Sequence, residues 1–154
     1  MSNQSWRIED VLNRAILNEQ QSNLLYKQAV TAVSSPESKL LLEALAKEEA
    51  RHKQKLEEMK EKGGILQNDH MPKVISLGIL DHVEEAALSG EASYQEILIF
   101  AAHKEHEAHD YYAEMASKLG KTQAGGLFQQ LAQEELGHKA KIEREYERTI
   151  LKEG

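Results

Sequence analysis

A chain of 154 residues with a formal net charge of −7 and no cysteine excludes disulfides, thiolate metal sites, iron–sulfur clusters and thiol catalysis, so any metal must be held by His, Asp and Glu. The acidic balance argues against a nucleic-acid or anionic-membrane surface, and the longest apolar run, ILIFAA at 97–102, is too short to cross a bilayer. With 40% apolar and 29% charged residues, two prolines and 5% aromatics, the composition predicts a single all-α domain over 1–154.

Four helical segments follow in chain order. The first is expected from about Trp6 to Val33, with Leu12, Ile16, Glu19, Tyr26 and Val30 on one face. SSPES at 34–38 ends it and starts the second, with Ser35 as N-cap and Pro36 in the first helical position. The second runs to about Lys62 and stops at Gly63-Gly64. The third begins at SYQE, 93–96, where Ser93 and Glu96 form a capping box, and ends near Leu119-Gly120. The fourth runs from about Thr122 to Leu151, its first turns weakened by Gly125-Gly126. The opening MSNQSWRIED has no basic-then-apolar signal pattern, and a cytoplasmic location is expected.

The links between helices one and two, and three and four, are only a few residues, so each pair is expected as an antiparallel hairpin. The crossover between the hairpins, about 63–92, is long enough to run back along the bundle and carries a helical pattern at Ile75, Ile79, Val83 and Ala87. Its apolar residues Ile75, Leu77, Ile79 and Leu80 would either cap the bundle or form a homodimer interface. The fold expected is an all-α four-helix bundle of two hairpins joined by one long crossover.

The second helix poses a question. Leu42, Leu45, Glu49, His52, Leu56 and Met59 share one face, so a carboxylate and an imidazole sit in the middle of an apolar stripe. An internal repeat answers it. Residues 7–58 match 93–144 at an offset of 86, with 13 identities in 52 positions; random pairing gives roughly three or four. The identities include Glu19/Glu105, Tyr26/Tyr112, Glu48/Glu134, Glu49/Glu135 and His52/His138. Each hairpin therefore carries a Glu on its first helix and Glu-x-x-His on its second, all on the apolar stripe. Packed about a pseudo-twofold axis, four Glu and two His converge in the core. Four buried carboxylates repel one another and each is costly if ionised and unpaired. Two divalent cations balance four carboxylates, and carboxylate-rich sites with imidazole suit iron or manganese, with zinc as a further candidate.

The two Glu-x-x-His motifs, each with its upstream Glu, make the chain resemble the ferritin-like di-iron carboxylate superfamily, and within it the rubrerythrin-like group without the cysteine-ligated rubredoxin domain. The resemblance implies a ferritin-like bundle holding two iron ions. Glu19 and Glu105 would be terminal ligands, Glu49 and Glu135 bridges, and His52 and His138 the nitrogen ligands. It implies an oxidoreductase of peroxidase or ferroxidase type, reducing hydrogen peroxide or dioxygen in oxidative stress, with electrons from a separate donor protein. The alternatives are an iron-binding or storage protein without turnover, and a zinc-stapled or metal-free interaction bundle. One position departs from the family: rubrerythrins carry a further Glu one turn beyond the third-helix ligand, where this chain has Ala108 and Glu107 points outward.

Around the six, Tyr26 and Tyr112 are expected either to donate to ligating carboxylates or simply to pack in the core. His109, roughly 40° from Glu105 at about 100° per residue, is a candidate to face the site. His103 and His106 are expected on the surface. Glu48 and Glu134 read as a solvated face with the neighbouring lysines.

Overall fold

The computed structural model describes residues 5–62, 74–75 and 91–151. Four helices form the bundle: α1 Ile8–Val30, α2 Pro36–Glu61, α3 Tyr94–Leu119 and α4 Gln123–Thr149. At 1.5 Å per residue each is roughly 35–40 Å long. None is long and apolar enough to cross a membrane.

The helix starts are set by side chains that satisfy the first free backbone N–H groups. Ser35 Oγ accepts from Ser38 N at 3.3 Å, with Pro36 at the start of α2. In α3, Ser93 Oγ accepts from Glu96 N at 3.1 Å, and Glu96 Oε1 accepts from Ser93 N at 2.9 Å. Thr122 Oγ1 accepts from Gly125 N at 3.0 Å and starts α4. The Gly120–Thr122 turn needs two glycines. Gly120 has φ of +61°, and a Cβ on Gly125 would lie 2.3 Å from the Gly120 carbonyl oxygen. Gly125, expected to weaken α4, is thus what lets α4 turn back against α3.

The first helix is shorter than its apolar pattern. It ends at Val30, and Thr31 N and Ala32 N bond back to Gln28 O and Ala29 O in a closing turn. The residues before Pro36 are needed to reverse the chain, and proline disfavours helical backbone just ahead of it. Trp6, expected in the helix, is instead in a two-residue strand, β1 Ser5–Trp6. It pairs antiparallel with β2 Val74–Ile75, Ser5 opposite Ile75 and Trp6 opposite Val74. Ile75 is therefore extended, not part of a crossover helix. The other crossover positions, Leu77, Ile79, Leu80, Val83, Ala87, His70 and His82, lie outside the described residues.

Two tertiary hydrogen bonds fix the direction of the hairpins. Tyr111 Oη donates to Val11 O at 2.8 Å, so the end of α3 lies beside the start of α1. Ser38 Oγ donates to Glu145 Oε2 at 2.6 Å, so the start of α2 lies beside the end of α4. The two ends that the crossover joins are therefore at opposite ends of the bundle.

The core is layered. One apolar cluster, including Leu12, Leu56, Tyr111, Phe128 and Leu131, fills one end. A second, including Leu42, Leu45, Leu98 and Ile142, fills the other. Fully burying a side chain of this size contributes about 1.5–3 kcal/mol. Between the two clusters lies a belt of charged and polar side chains.

Candidate metal centre

The belt is made by one turn from the middle of each helix. α1 supplies Glu19, α2 Glu49 and His52, α3 Glu105, and α4 Glu135 and His138, all buried. Glu49 is wholly buried, and none of the six exceeds 2% exposure. The repeat brings them together because each occupies the core-facing position of its helix.

The six form two overlapping donor sets. Glu19, Glu49, His52 and Glu135 offer ligand atoms within 4.8 Å of one another, and so do Glu49, Glu105, Glu135 and His138. Glu49 and Glu135 belong to both. His52 Nδ1 lies 3.4 Å from Glu19 Oε2, 3.2 Å from Glu49 Oε1 and 3.7 Å from Glu135 Oε1. His138 Nδ1 lies 3.6 Å from Glu105 Oε1, 3.0 Å from Glu135 Oε1 and 3.7 Å from Glu49 Oε1. The two imidazoles stack with centroids 5.5 Å apart.

These separations are charge contacts and not hydrogen bonds. Both Nδ1 atoms, both oxygens of Glu49, and one oxygen each of Glu19, Glu105 and Glu135 have no hydrogen-bond partner. Among the described residues only Asn18 Oδ1 shares that condition. Unpartnered polar atoms in a core are costly, and here they all converge on one space. Their chemistry, carboxylate oxygen with some imidazole nitrogen, fits divalent transition ions.

The charges point the same way. Burial pushes the carboxyls of Glu49 and Glu135 well above the usual carboxylate range, and Glu19 and Glu105 nearby push them further. Burial works to lower His52 and His138, but the surrounding carboxylates overcome it and hold both far above the ordinary imidazole value. Burial also opposes the charge on Glu105, yet contact with His138 holds that carboxyl below its usual value. Without a cation the cluster therefore retains protons that a cation would displace.

A second ring of side chains supports the first, always from the other hairpin. Tyr26 Oη donates to Glu105 Oε2 and Tyr112 Oη to Glu19 Oε2, each at 2.5 Å. Burial, then the charge of those carboxylates, holds both phenols well above their usual value, so they remain donors. His52 Nε2 lies 2.7 Å from Glu134 Oε1, and His138 Nε2 lies 2.5 Å from Glu48 Oε1. With Nε2–H donated outward, Nδ1 is the nitrogen that faces the carboxylates, and its proton is one that a cation would displace.

Glu48 and Glu134 are where the sequence reading misses. Each is about one-third exposed, as a solvated face requires, and Lys141 Nζ does approach Glu48 at 4.0 Å. Yet each carboxylate reaches across to the opposite imidazole, and against the effect of burial His138 holds Glu48 below its usual value, while Gln130 and then His52 do the same for Glu134. The signal was their identity in both copies of the repeat.

His109 does not join the cluster. Its Nδ1 lies 3.1 Å from Asp110 Oδ1 and it is 28% exposed. The buried stripe of α3 runs from Ala101 through Glu105 to Tyr112, with the partly buried Ala108 packed against the core, so His109 falls on the solvent side. His103 and His106 are exposed, as expected.

Residues 10–77 match the rubrerythrin family model. A solved structure of a hypothetical protein from Pyrococcus furiosus shares the fold, with a TM-score of 0.71 and 20% identity over 92% of this chain and 89% of that one. No curated protein sequence matches the chain. With that match over α1 and α2, the four-helix architecture and the buried Glu/His belt, the chain is similar to the rubrerythrin-like group of the ferritin-like di-iron carboxylate superfamily.

Proposed function

We propose that the six belt residues hold two iron ions and that the loaded protein is an oxidoreductase acting on hydrogen peroxide or dioxygen. The observation that carries this reading is the pair of overlapping donor sets with Glu49 and Glu135 in common. Glu19 and His52 would hold one ion and Glu105 and His138 the other, with Glu49 and Glu135 available to both. When bound, two iron(II) ions would supply one electron each, the two electrons that reduction of a peroxide O–O bond requires.

The protein's own contribution is position and exclusion of water. Exposure of 2% or less keeps bulk solvent from the belt. The phenols of Tyr26 and Tyr112 fix one oxygen of Glu105 and Glu19, leaving the other oxygen free to ligate. Glu134 and Glu48 hold the N–H of His52 and His138 at Nε2, which fixes the ring and its tautomer. These residues include no cysteine for a thiolate electron-transfer centre, and a separate donor protein is the proposed source of electrons.

Anaerobic iron(II) titration of the apo-protein tests the site, and peroxide addition tests the reaction. Saturation near two ions per chain, lost in Glu49→Ala, with rapid oxidation of the bound iron by peroxide, is the expected result. Tight binding with no response to peroxide would overturn the oxidoreductase reading. Continued uptake past two ions would turn it into storage.

A further inference from the structure

The outer face of α3 carries a second group of metal-ligating side chains, well separated in character from the buried belt. Asp110 uses both carboxylate oxygens: Oδ2 lies 3.3 Å from His106 Nε2, and Oδ1 lies 3.1 Å from His109 Nδ1. His106 and Asp110 are one helical turn apart and about half exposed. The rings of His106 and His109 are 6.4 Å apart, and neither stacks tightly on the other.

We propose that His106 and Asp110 form an outer binding site for a divalent transition ion, with His109 as a positioning residue. Metal–nitrogen and metal–oxygen bonds of about 2.0–2.2 Å at a tetrahedral angle place two donors roughly 3.3–3.5 Å apart. The His106 Nε2 to Asp110 Oδ2 separation of 3.3 Å matches that span. His109 holds the far oxygen of Asp110, the arrangement by which an outer partner orients a ligating carboxylate. One imidazole and one carboxylate suit zinc, iron(II), cobalt, nickel or copper, whereas calcium and magnesium favour all-oxygen sites. Half exposure leaves the remaining coordination positions to water, which makes the site exchangeable.

The ordinary alternative is a helix-surface ion pair that adds a few tenths of a kcal/mol to the bundle. The repeat weighs against it. The counterparts of His106, His109 and Asp110 in the first hairpin are Gln20, Asn23 and Leu24. The same helix in the same bundle folds there with none of these groups. His103, exposed one turn earlier, likewise replaces Leu17. This hairpin carries imidazoles that the architecture does not need.

Equilibrium dialysis of the full chain against zinc alone, counting ions per chain, tests the site. His106→Ala and Asp110→Asn are each expected to lose one zinc relative to wild type. His109→Ala is expected to keep that ion with about tenfold weaker affinity. Glu49→Gln combined with Glu135→Gln is expected to keep the outer ion whatever happens in the belt. Identical zinc counts and affinities in wild type, His106→Ala and Asp110→Asn would overturn the outer site. Failure of the belt reading has a different signature, an unchanged count in the Glu49→Gln, Glu135→Gln chain. Circular dichroism verifies that the exposed-residue variants fold.

Discussion

The phenol of Tyr112 on α3 donates to the carboxylate of Glu19 on α1, 2.5 Å away and across the boundary between the two hairpins. Tyr112→Phe keeps the ring, which packs against Phe128 with centroids 5.4 Å apart, and removes only the donor. A hydrogen bond to a charged group contributes about 1.5–3 kcal/mol. The variant should lose about that much apo-protein stability in urea unfolding, and roughly tenfold in metal affinity. Unchanged metal affinity would reduce Tyr112 to a packing residue.

Glu48→Gln and Glu134→Gln should each weaken metal binding by about 10–100-fold. Both side chains are about one-third exposed, so the effect on apo stability should be small. A titration in which both variants match wild type would return these residues to the role of a solvated face.

Chelation should soften the loaded protein. A ligand present at a thousand times its Kd adds about 4 kcal/mol, which corresponds to a Tm change on the order of 10 °C for a chain of this size. Conversely, replacing Glu49 and Glu135 together with leucine should abolish binding yet leave the apo-protein as stable or more so, because two buried carboxyls no longer need to be accommodated. Differential scanning calorimetry of the four samples, loaded and chelated, checks both statements.

Acid sensitivity should have a component away from the belt. Glu145 is buried, and Ser38 Oγ and Tyr94 Oη each donate to its Oε2 at 2.6 Å, while Arg148 Nη2 lies 2.9 Å from its Oε1. Burial works to raise its pKa, but these partners win and hold the carboxyl below the usual value. A carboxyl lowered by folding stabilises above its unfolded pKa of about 4.3, and that stability is lost as pH falls through the lower folded value. Glu145→Gln should therefore unfold at lower urea than wild type at neutral pH, with the gap narrowing as the solution is made strongly acidic. A gap independent of pH would mean that the charge of Glu145 contributes nothing.

Two adjacent glycines should respond oppositely. Gly125→Ala places a methyl 2.3 Å from the Gly120 carbonyl and should cost about 1–3 kcal/mol. Gly126→Ala meets nothing within 4 Å and should gain up to about 1 kcal/mol from helix propensity. Thermal melts of the two single variants decide it.

The legible and illegible parts of the sequence divide along physical lines. Helix starts were readable because caps are local: Ser35 and Ser93 bond within three residues of themselves. The six belt residues were readable because burial follows the helical period and the repeat doubled the pattern. Glu48 and Glu134 were not, since their partners lie 90 and 82 residues away on another helix and their exposure resembles that of any surface Glu. His109 went astray because an angular offset of about 40° does not say which flank of the stripe is covered. Gly125 looked like a weakness, and only its approach to Gly120 gives it a purpose.

Every support in the centre is exchanged: Tyr26 for Glu105, Tyr112 for Glu19, Glu48 for His138, Glu134 for His52. Neither hairpin completes its own half. A single hairpin sequence paired with a copy of itself would contain every group the centre uses, so the information needed is that of one hairpin. Fusion into one chain frees the halves from remaining alike wherever they do not face each other. The outer face of α3, with imidazoles where α1 has leucine and amides, is where that freedom has been used.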